Sequence, residues 1–349
     1  MERKLTRKVK VGDIYVGGDF RVSVQSMTNT DTRDIKSTVE QIKRLQEAGC
    51  DIVRVAVPDM EAASAIRGIT SEISIPLVAD IHFDYRLALE SIKNGVSALR
   101  INPGNIGSRE RVKIVAEAAK AKNIPIRIGV NSGSLEKDLL LKYKKPTPEG
   151  LVESALRHVE ILEDMNFNDI VISIKSTELD TMINSYRLMS EKVNYPLHLG
   201  VTEAGTPWRG TIKSSIGIGT LLAEGIGDTI RVSLTGDPVE EIKVGREILK
   251  NFGMIKSGIE FISCPTCGRT EIDLIRIANE VEDKLSTCQK NIKVAIMGCV
   301  VNGPGEAREA DLGIAGGKGE GLIFKKGQII RKVKEEDLVS ELIKEIEMY

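Results

Sequence analysis

No uninterrupted apolar run in this chain approaches the roughly 20 residues that a membrane-spanning helix requires. Charge of one sign is also missing: 49 Lys and Arg stand against 50 Asp and Glu, a formal net charge of −1. Bulk attraction to nucleic acid or to an anionic membrane surface is therefore excluded, and any anion binding must come from a local cluster of cations. The opening residues, from Met1 to Lys8, are charged and polar and lack the apolar stretch of a secretory signal. The expectation is a cytoplasmic protein with no membrane and no nucleic-acid partner. In that reducing compartment five cysteines are poor disulfide formers and better metal ligands or buried thiols. Histidine is scarce, three in all, and none follows His198, which excludes a Cys₃His zinc site in the last third of the chain.

What is present is a repeat. Short β-branched runs alternate with stretches of helical period. The predicted strands are 22–27, 52–57, 77–81, 98–102, 126–130, 170–174, 197–201 and 229–234. Helical patterns follow them, among them 34–48, 60–72, 85–93, 108–121, 147–165, 179–191, 212–223 and 239–250. Eight βα units match an α/β fold of the (β/α)₈ TIM-barrel type. A doubly wound open sheet would also alternate, but it usually carries a Gly-rich phosphate turn after its first strand. Here that turn reads Thr28-Asn-Thr-Asp-Thr32, without glycine. The pattern assigns residues 1–250 to the barrel, with a small hairpin at about 8–17, residues 251–260 to a linker, and 261–349 to a second α/β domain.

Barrel chemistry sits at the C-terminal ends of the strands. The polar residues placed there are unusual. Arg54, Arg100, Arg127, Lys175 and Arg231 put a cation on five of the eight strands, joined by Asn102, Asn131, Ser233, His82 beside Asp80, and Glu203. One such arginine reads as an internal ion pair. Five are harder to explain so, because an unpaired buried charge is costly and these strand ends supply only Asp80 and Glu203 as partners. Their convergence points to a multiply charged anion such as a diphosphate, for which the arginine fork is well suited. His82 reads equally as a satisfied structural histidine or a participant. Glu203 reads equally as a general acid or base or as an ion-pair partner.

Cys264-Pro-Thr-Cys267 alone is ambiguous between zinc, a redox dithiol and an iron–sulfur centre. Cys299, in the Gly/Pro-rich loop Met297-Gly-Cys-Val-Val-Asn-Gly-Pro-Gly-Glu306, favours a metal. Three thiolates without a fourth nearby cysteine leave room for a substrate-accessible iron or a non-thiolate ligand, and Glu306 on the same loop is the available carboxylate. Cys50 and Cys288 read as ordinary thiols.

At this point several stretches together resemble the bacterial hydroxymethylbutenyl diphosphate synthase family of the methylerythritol phosphate route to isoprenoids. They are Val24-Gln-Ser-Met-Thr-Asn-Thr30, Ala79-Asp-Ile-His-Phe-Asp84, Leu99-Arg-Ile-Asn-Pro-Gly-Asn105, Arg127-Ile-Gly-Val-Asn-Ser-Gly-Ser134, His198-Leu-Gly-Val-Thr-Glu-Ala-Gly205, Ser263-Cys-Pro-Thr-Cys-Gly-Arg269 and Met297–Glu306. The resemblance implies a cyclic diphosphate substrate and a two-electron reductive ring opening with loss of a hydroxyl. It implies a [4Fe–4S] cluster on Cys264, Cys267, Cys299 and Glu306, and electrons delivered singly by ferredoxin or flavodoxin. The diphosphate would lie on Arg54, Arg100, Arg127, Lys175 and Arg231. Asn102, Asn131, His82 and Ser233 would line the same site, with Glu203 as acid/base. The last barrel helix runs back to the face opposite the mouth, and a ten-residue linker reaches at most about 33–36 Å. A head-to-tail homodimer, with each cluster domain capping its partner's barrel and opening and closing over it, is therefore expected.

Overall fold

The computed structural model describes residues 2–102, 106, 108–256, 258–285, 288, 290–299 and 309–349. The chain divides into two compact units after Met254.

The first unit begins with an antiparallel hairpin, β1 (Val9–Val11) and β2 (Ile14–Val16), turned at Gly12 in the left-handed region. Eight parallel strands follow: β3 (Ser23–Met27), β4 (Ile52–Ala56), β5 (Leu77–Asp80), β6 (Ala98–Ile101), β7 (Ile126–Asn131), β8 (Ile170–Lys175), β9 (His198–Leu199) and β10 (Thr229–Ile230). They neighbour one another in chain order, and β10 pairs with β3. A bridge between Ile172 and Leu197 joins β8 to the β9 segment and brings the sheet round. The result is a (β/α)₈ barrel.

The connecting helices form where caps and apolar period agree. Asp34 accepts from Ser37 N–H ahead of Ile35–Glu47, which buries Val39, Ile42 and Leu45 at helical spacing. Thr147 caps Pro148–Glu163, with proline at its first position. The hairpin closes the bottom of the barrel, packing Val11 and Val16 against Ile52, Val78 and Ala98.

Two strands are shorter than the sequence predicts. The runs 197–201 and 229–234 pair only over His198–Leu199 and Thr229–Ile230. The Arg231 N–H still donates to Leu199 O at 2.9 Å, but the Leu234 N–H is held by the Glu241 carboxylate at 3.0 Å rather than by a neighbouring strand. A short helix, Lys137–Tyr143, lies in the β7 loop where no element was predicted. The helix predicted from Ile212 starts at Pro207, whose fixed φ suits a first turn.

Between the units, the barrel's last helix runs to Asn251 and the next strand begins at Ile259. The second unit is a five-stranded sheet in the order β11 (Ile259–Ser263), β12 (Ile292–Met297), β13 (Leu312–Gly317), β14 (Glu320–Lys325), β15 (Gln328–Lys334). β11, β12 and β13 are parallel, while β14 and β15 are antiparallel. Helices Leu274–Leu285 and Leu338–Met348 supply Ile277, Val281, Leu338 and Leu342 to its core. Among the described residues, no helix is long and apolar enough to cross a membrane.

Candidate active site

Side chains on a strand alternate between its faces, so inward residues recur every second position. The lowest inward storey is visible where Gln25, Ile52, Val78, Ala98, Arg127, Val171 and Thr229 line one crevice with Val11 and Val16 of the hairpin. His198, registered against Thr229, belongs to the same level, its Nδ1 3.3 Å from Thr229 Oγ1. Two residues further along come Met27, Arg54, Asp80, Arg100, Gly129, Ser173 and Arg231. Two more bring His82, Asn102, Asn131, Lys175 and Ser233. Nearly all the predicted barrel residues therefore fall on the inner face, Arg127 in the lowest storey and the others in the two above it.

The electrostatics are severe. Arg54, Arg100, Arg127 and Lys175 are only 6–8 % exposed. Asp80 lies between two of them, with Oδ2 3.7 Å from Arg54 Nε and Oδ1 3.2 Å from Arg100 NH1. Arg231 approaches Glu241 at 3.7 Å. That carboxylate also accepts from Ser26 Oγ at 2.7 Å and reaches in from helix Pro238–Asn251. Among the described residues, five cations thus share two carboxylates, an excess of three positive charges. Among the described residues the Lys175 ammonium has no hydrogen-bond or ion-pair partner. Burial first, and then Arg231 and Arg54, push Lys175 well below its ordinary pKa. Burial and Arg231 do the same to Arg54, while burial and Arg100 push Arg127 down to about 9. Burial would raise Asp80, but Arg54, His82 and Arg100 outweigh it and hold the carboxyl well below its usual range.

Several partners of these cations carried no role in the sequence reading. The Met27 thioether sits 3.1 and 3.0 Å from Arg54 Nε and NH2. Arg127 NH1 donates to Gln25 Oε1. His198 is fully buried with Nε2 unpaired, and burial together with Arg127 and Lys175 pushes its pKa well down, keeping it neutral. Inward period on the strands marks Gln25, Met27 and His198. Nothing local marks Glu241, which sits on a helix.

The other predicted residues fall as follows. His82 is exposed, with Nε2 3.5 Å from Asp80. Asn131, with its amide oriented to satisfy both neighbours, accepts from Arg100 NH2 and donates to Val130 O, each at 3.2 Å. Asn102 is buried and Ser233 half-buried. Glu203 is exposed in the β9 loop at φ 52° and pairs with none of the mouth cations among the described residues. Of the two readings of Glu203, the ion pair is absent among the described residues, and Glu241 is the second carboxylate beside the cations.

Glycine makes the crowding possible. An added Cβ at Gly129 would overlap the Arg100 guanidinium, and one at Gly200 would stand 2.8 Å from Arg231 O. Gly129→Ala is therefore expected to displace Arg100 and weaken binding of inorganic pyrophosphate by about tenfold. Calorimetry on folded protein reads this; native-like affinity would show that Arg100 has room elsewhere.

In the second unit, Cys264 follows β11 and Cys299 follows β12, at the same ends of two adjacent parallel strands. The Gly298 N–H donates to Cys264 Sγ at 3.1 Å, and Cys267 N–H to Thr270 Oγ1 at 3.1 Å. Cys299 is buried and Cys267 exposed. The Arg269 backbone N–H, aided by the Arg269 charge, lowers the Cys267 pKa. Among the described residues, no three ligand groups already converge on one point. Glu306 lies outside the described residues. The donor set fits a thiolate-bound centre, because an N–H aimed at sulfur stabilises the thiolate. Cys50, by contrast, is buried beneath the barrel sheet and its thiol is pushed up to about 12.

Comparison with known proteins adds identity to this geometry. Residues 6–246 match the family described as the GcpE TIM-barrel domain, and 260–348 the GcpE protein C-terminal domain. A protein of Clostridium perfringens named 4-hydroxy-3-methylbut-2-en-1-yl diphosphate synthase (flavodoxin) is 80% identical over 99% of both chains. One of Caldanaerobacter subterraneus subsp. tengcongensis with the same name is 65% identical, over 99% of this chain and 97% of its own. Among solved structures, dihydropteroate synthase of Stenotrophomonas maltophilia superposes with a TM-score of 0.53 at 14% identity, over 71% of this chain and 97% of its own. That last likeness speaks to the barrel fold alone.

Proposed function

Because this chain belongs to the GcpE family over both of its units, we propose that it is the enzyme that reduces 2-C-methyl-D-erythritol 2,4-cyclodiphosphate to 4-hydroxy-3-methylbut-2-enyl diphosphate. The observation that carries the substrate class is the buried excess of positive charge in the barrel mouth. An uncompensated charge in a desolvated site costs several kcal/mol per ion, on the order of what a diphosphate would return. Arg54, Arg100, Arg127, Lys175 and Arg231 would bind that group. Asn102, Asn131, His82 and Ser233 would orient the carbon chain and its hydroxyls. Glu203, on its exposed loop, would exchange protons with the leaving hydroxyl.

Cys264, Cys267, Cys299 and Glu306 would hold a [4Fe–4S] cluster, which when bound supplies electrons singly and a Lewis-acidic iron. The names of the relatives favour flavodoxin over ferredoxin as donor. The overall balance is two electrons and protons in, the ring C–O bond broken, and one hydroxyl lost as water. A head-to-tail homodimer would bring each cluster unit to its partner's barrel; full activity of a monomer at high dilution would refute that arrangement.

Arg127→Ala tests the substrate assignment. Loss of a charge-assisted bond is worth about 1.5–3 kcal/mol, so affinity for the cyclic diphosphate should fall by about tenfold or more. The anaerobic protein should keep its brown colour. Unchanged affinity would remove the diphosphate from the barrel.

A further inference from the structure

Arg127 differs from the other mouth arginines in what orients it. Arg54 and Arg100 share the Asp80 carboxylate, and Arg231 approaches Glu241. Among the described residues, no carboxylate lies within ion-pair distance of Arg127. Its NH1 donates to Gln25 Oε1 across the barrel, while Nε and NH2 are buried without a partner. Gln25 is 1 % exposed and lines the same lower storey as Arg127. His198, at that level too, stays neutral among the cations. The surroundings of Arg127 therefore direct it without cancelling its charge.

That choice is chemically specific. A glutamate is nearly isosteric with glutamine and would give a buried arginine the counter-ion it lacks. It would also occupy a charge that an incoming anion needs. Building on the diphosphate reading above, we propose that Gln25 is a positioning residue that aims Arg127 at the substrate and, by being neutral, leaves its positive charge uncompensated for the anion. A glutamine serving only to fill space would show no such trade of stability against binding.

The test compares native protein with Gln25→Glu and Gln25→Met, each with and without Arg127→Ala. Melting temperature without substrate and affinity for the cyclic diphosphate are measured on anaerobically purified protein of equal iron content. Gln25→Glu is expected to raise the melting temperature by about 2 °C or more while weakening binding at least about tenfold. Gln25→Met, which has no acceptor, is expected to weaken binding without raising the melting temperature. In the Arg127→Ala background, Gln25→Glu should change binding less than threefold, because its target is gone. Native-like affinity of Gln25→Glu overturns the proposal. So does a joint loss of stability and affinity that persists without Arg127, which marks a packing role. Native protein that binds neither the cyclic diphosphate nor pyrophosphate would instead remove the diphosphate reading, and this proposal with it.

Discussion

Cys299→Ser is expected to yield nearly colourless protein with turnover at background, the largest effect of any single change considered. Cys299 is buried at the end of β12, one residue from the Gly298 N–H that donates to Cys264 Sγ. A serine hydroxyl is a harder and far more basic ligand than thiolate at neutral pH and replaces it poorly on iron. Iron should fall from about four per chain, the complement of a [4Fe–4S] centre, to below about one. The barrel is a separate compact unit with its own core, so pyrophosphate affinity should be retained. Brown, active Cys299→Ser protein would take Cys299 out of the ligand set. Colourless native protein loaded with zinc would sink the iron–sulfur reading itself.

The next largest effect is expected at Asp80. Its carboxylate is the shared counter-ion of Arg54 and Arg100, and all three side chains are under a tenth exposed. Asp80→Asn keeps the shape but leaves both arginines without a charge partner. Breaking a buried pair in this way costs about 3–5 kcal/mol. Pyrophosphate should restore part of the lost melting temperature, since it binds the folded state and supplies the missing negative charge. The same residue sets an acid limit. Its folded pKa lies below the unfolded value of about 3.9. Its contribution is therefore complete above about pH 4 and is lost as pH falls through the folded value. Asp80→Asn protein should show a flatter stability curve below pH 4 than native protein. An equally stable variant with an unchanged acid limb would mean that the two arginines do not depend on Asp80.

The barrel was legible because its signal is repetitive. Eight β-branched runs separated by capped helices leave few other solutions, and inward period then places Arg54, Arg100, Asn102, Arg127, Asn131 and Lys175 in one interior. The misses have physical causes. The predicted run 229–234 does not pair to its end, where the Leu234 N–H is taken by a side chain, an event that β propensity cannot register. Glu241 looks like any acidic residue in the first turn of a helix, yet it is buried behind Ser26 and Arg231. His198 is obvious as a histidine but not as one held neutral by its neighbours. The spacing of Cys264, Cys267 and Cys299, with the Gly/Pro-rich loop around the last, pointed only to a metal site. That Cys264 and Cys299 come at adjacent strand ends follows from the parallel pairing of β11 and β12, a tertiary fact.

On the proposed reading, a diphosphate-binding barrel and an iron–sulfur reductant act in one catalytic cycle. The most direct test of that reading is to reconstitute the protein anaerobically, add 2-C-methyl-D-erythritol 2,4-cyclodiphosphate with a strong one-electron reductant, and identify the product by NMR and mass spectrometry. The expected result is 4-hydroxy-3-methylbut-2-enyl diphosphate, formed only when the protein, iron and reductant are all present. Recovery of the cyclic diphosphate unchanged from brown, fully loaded protein would contradict it.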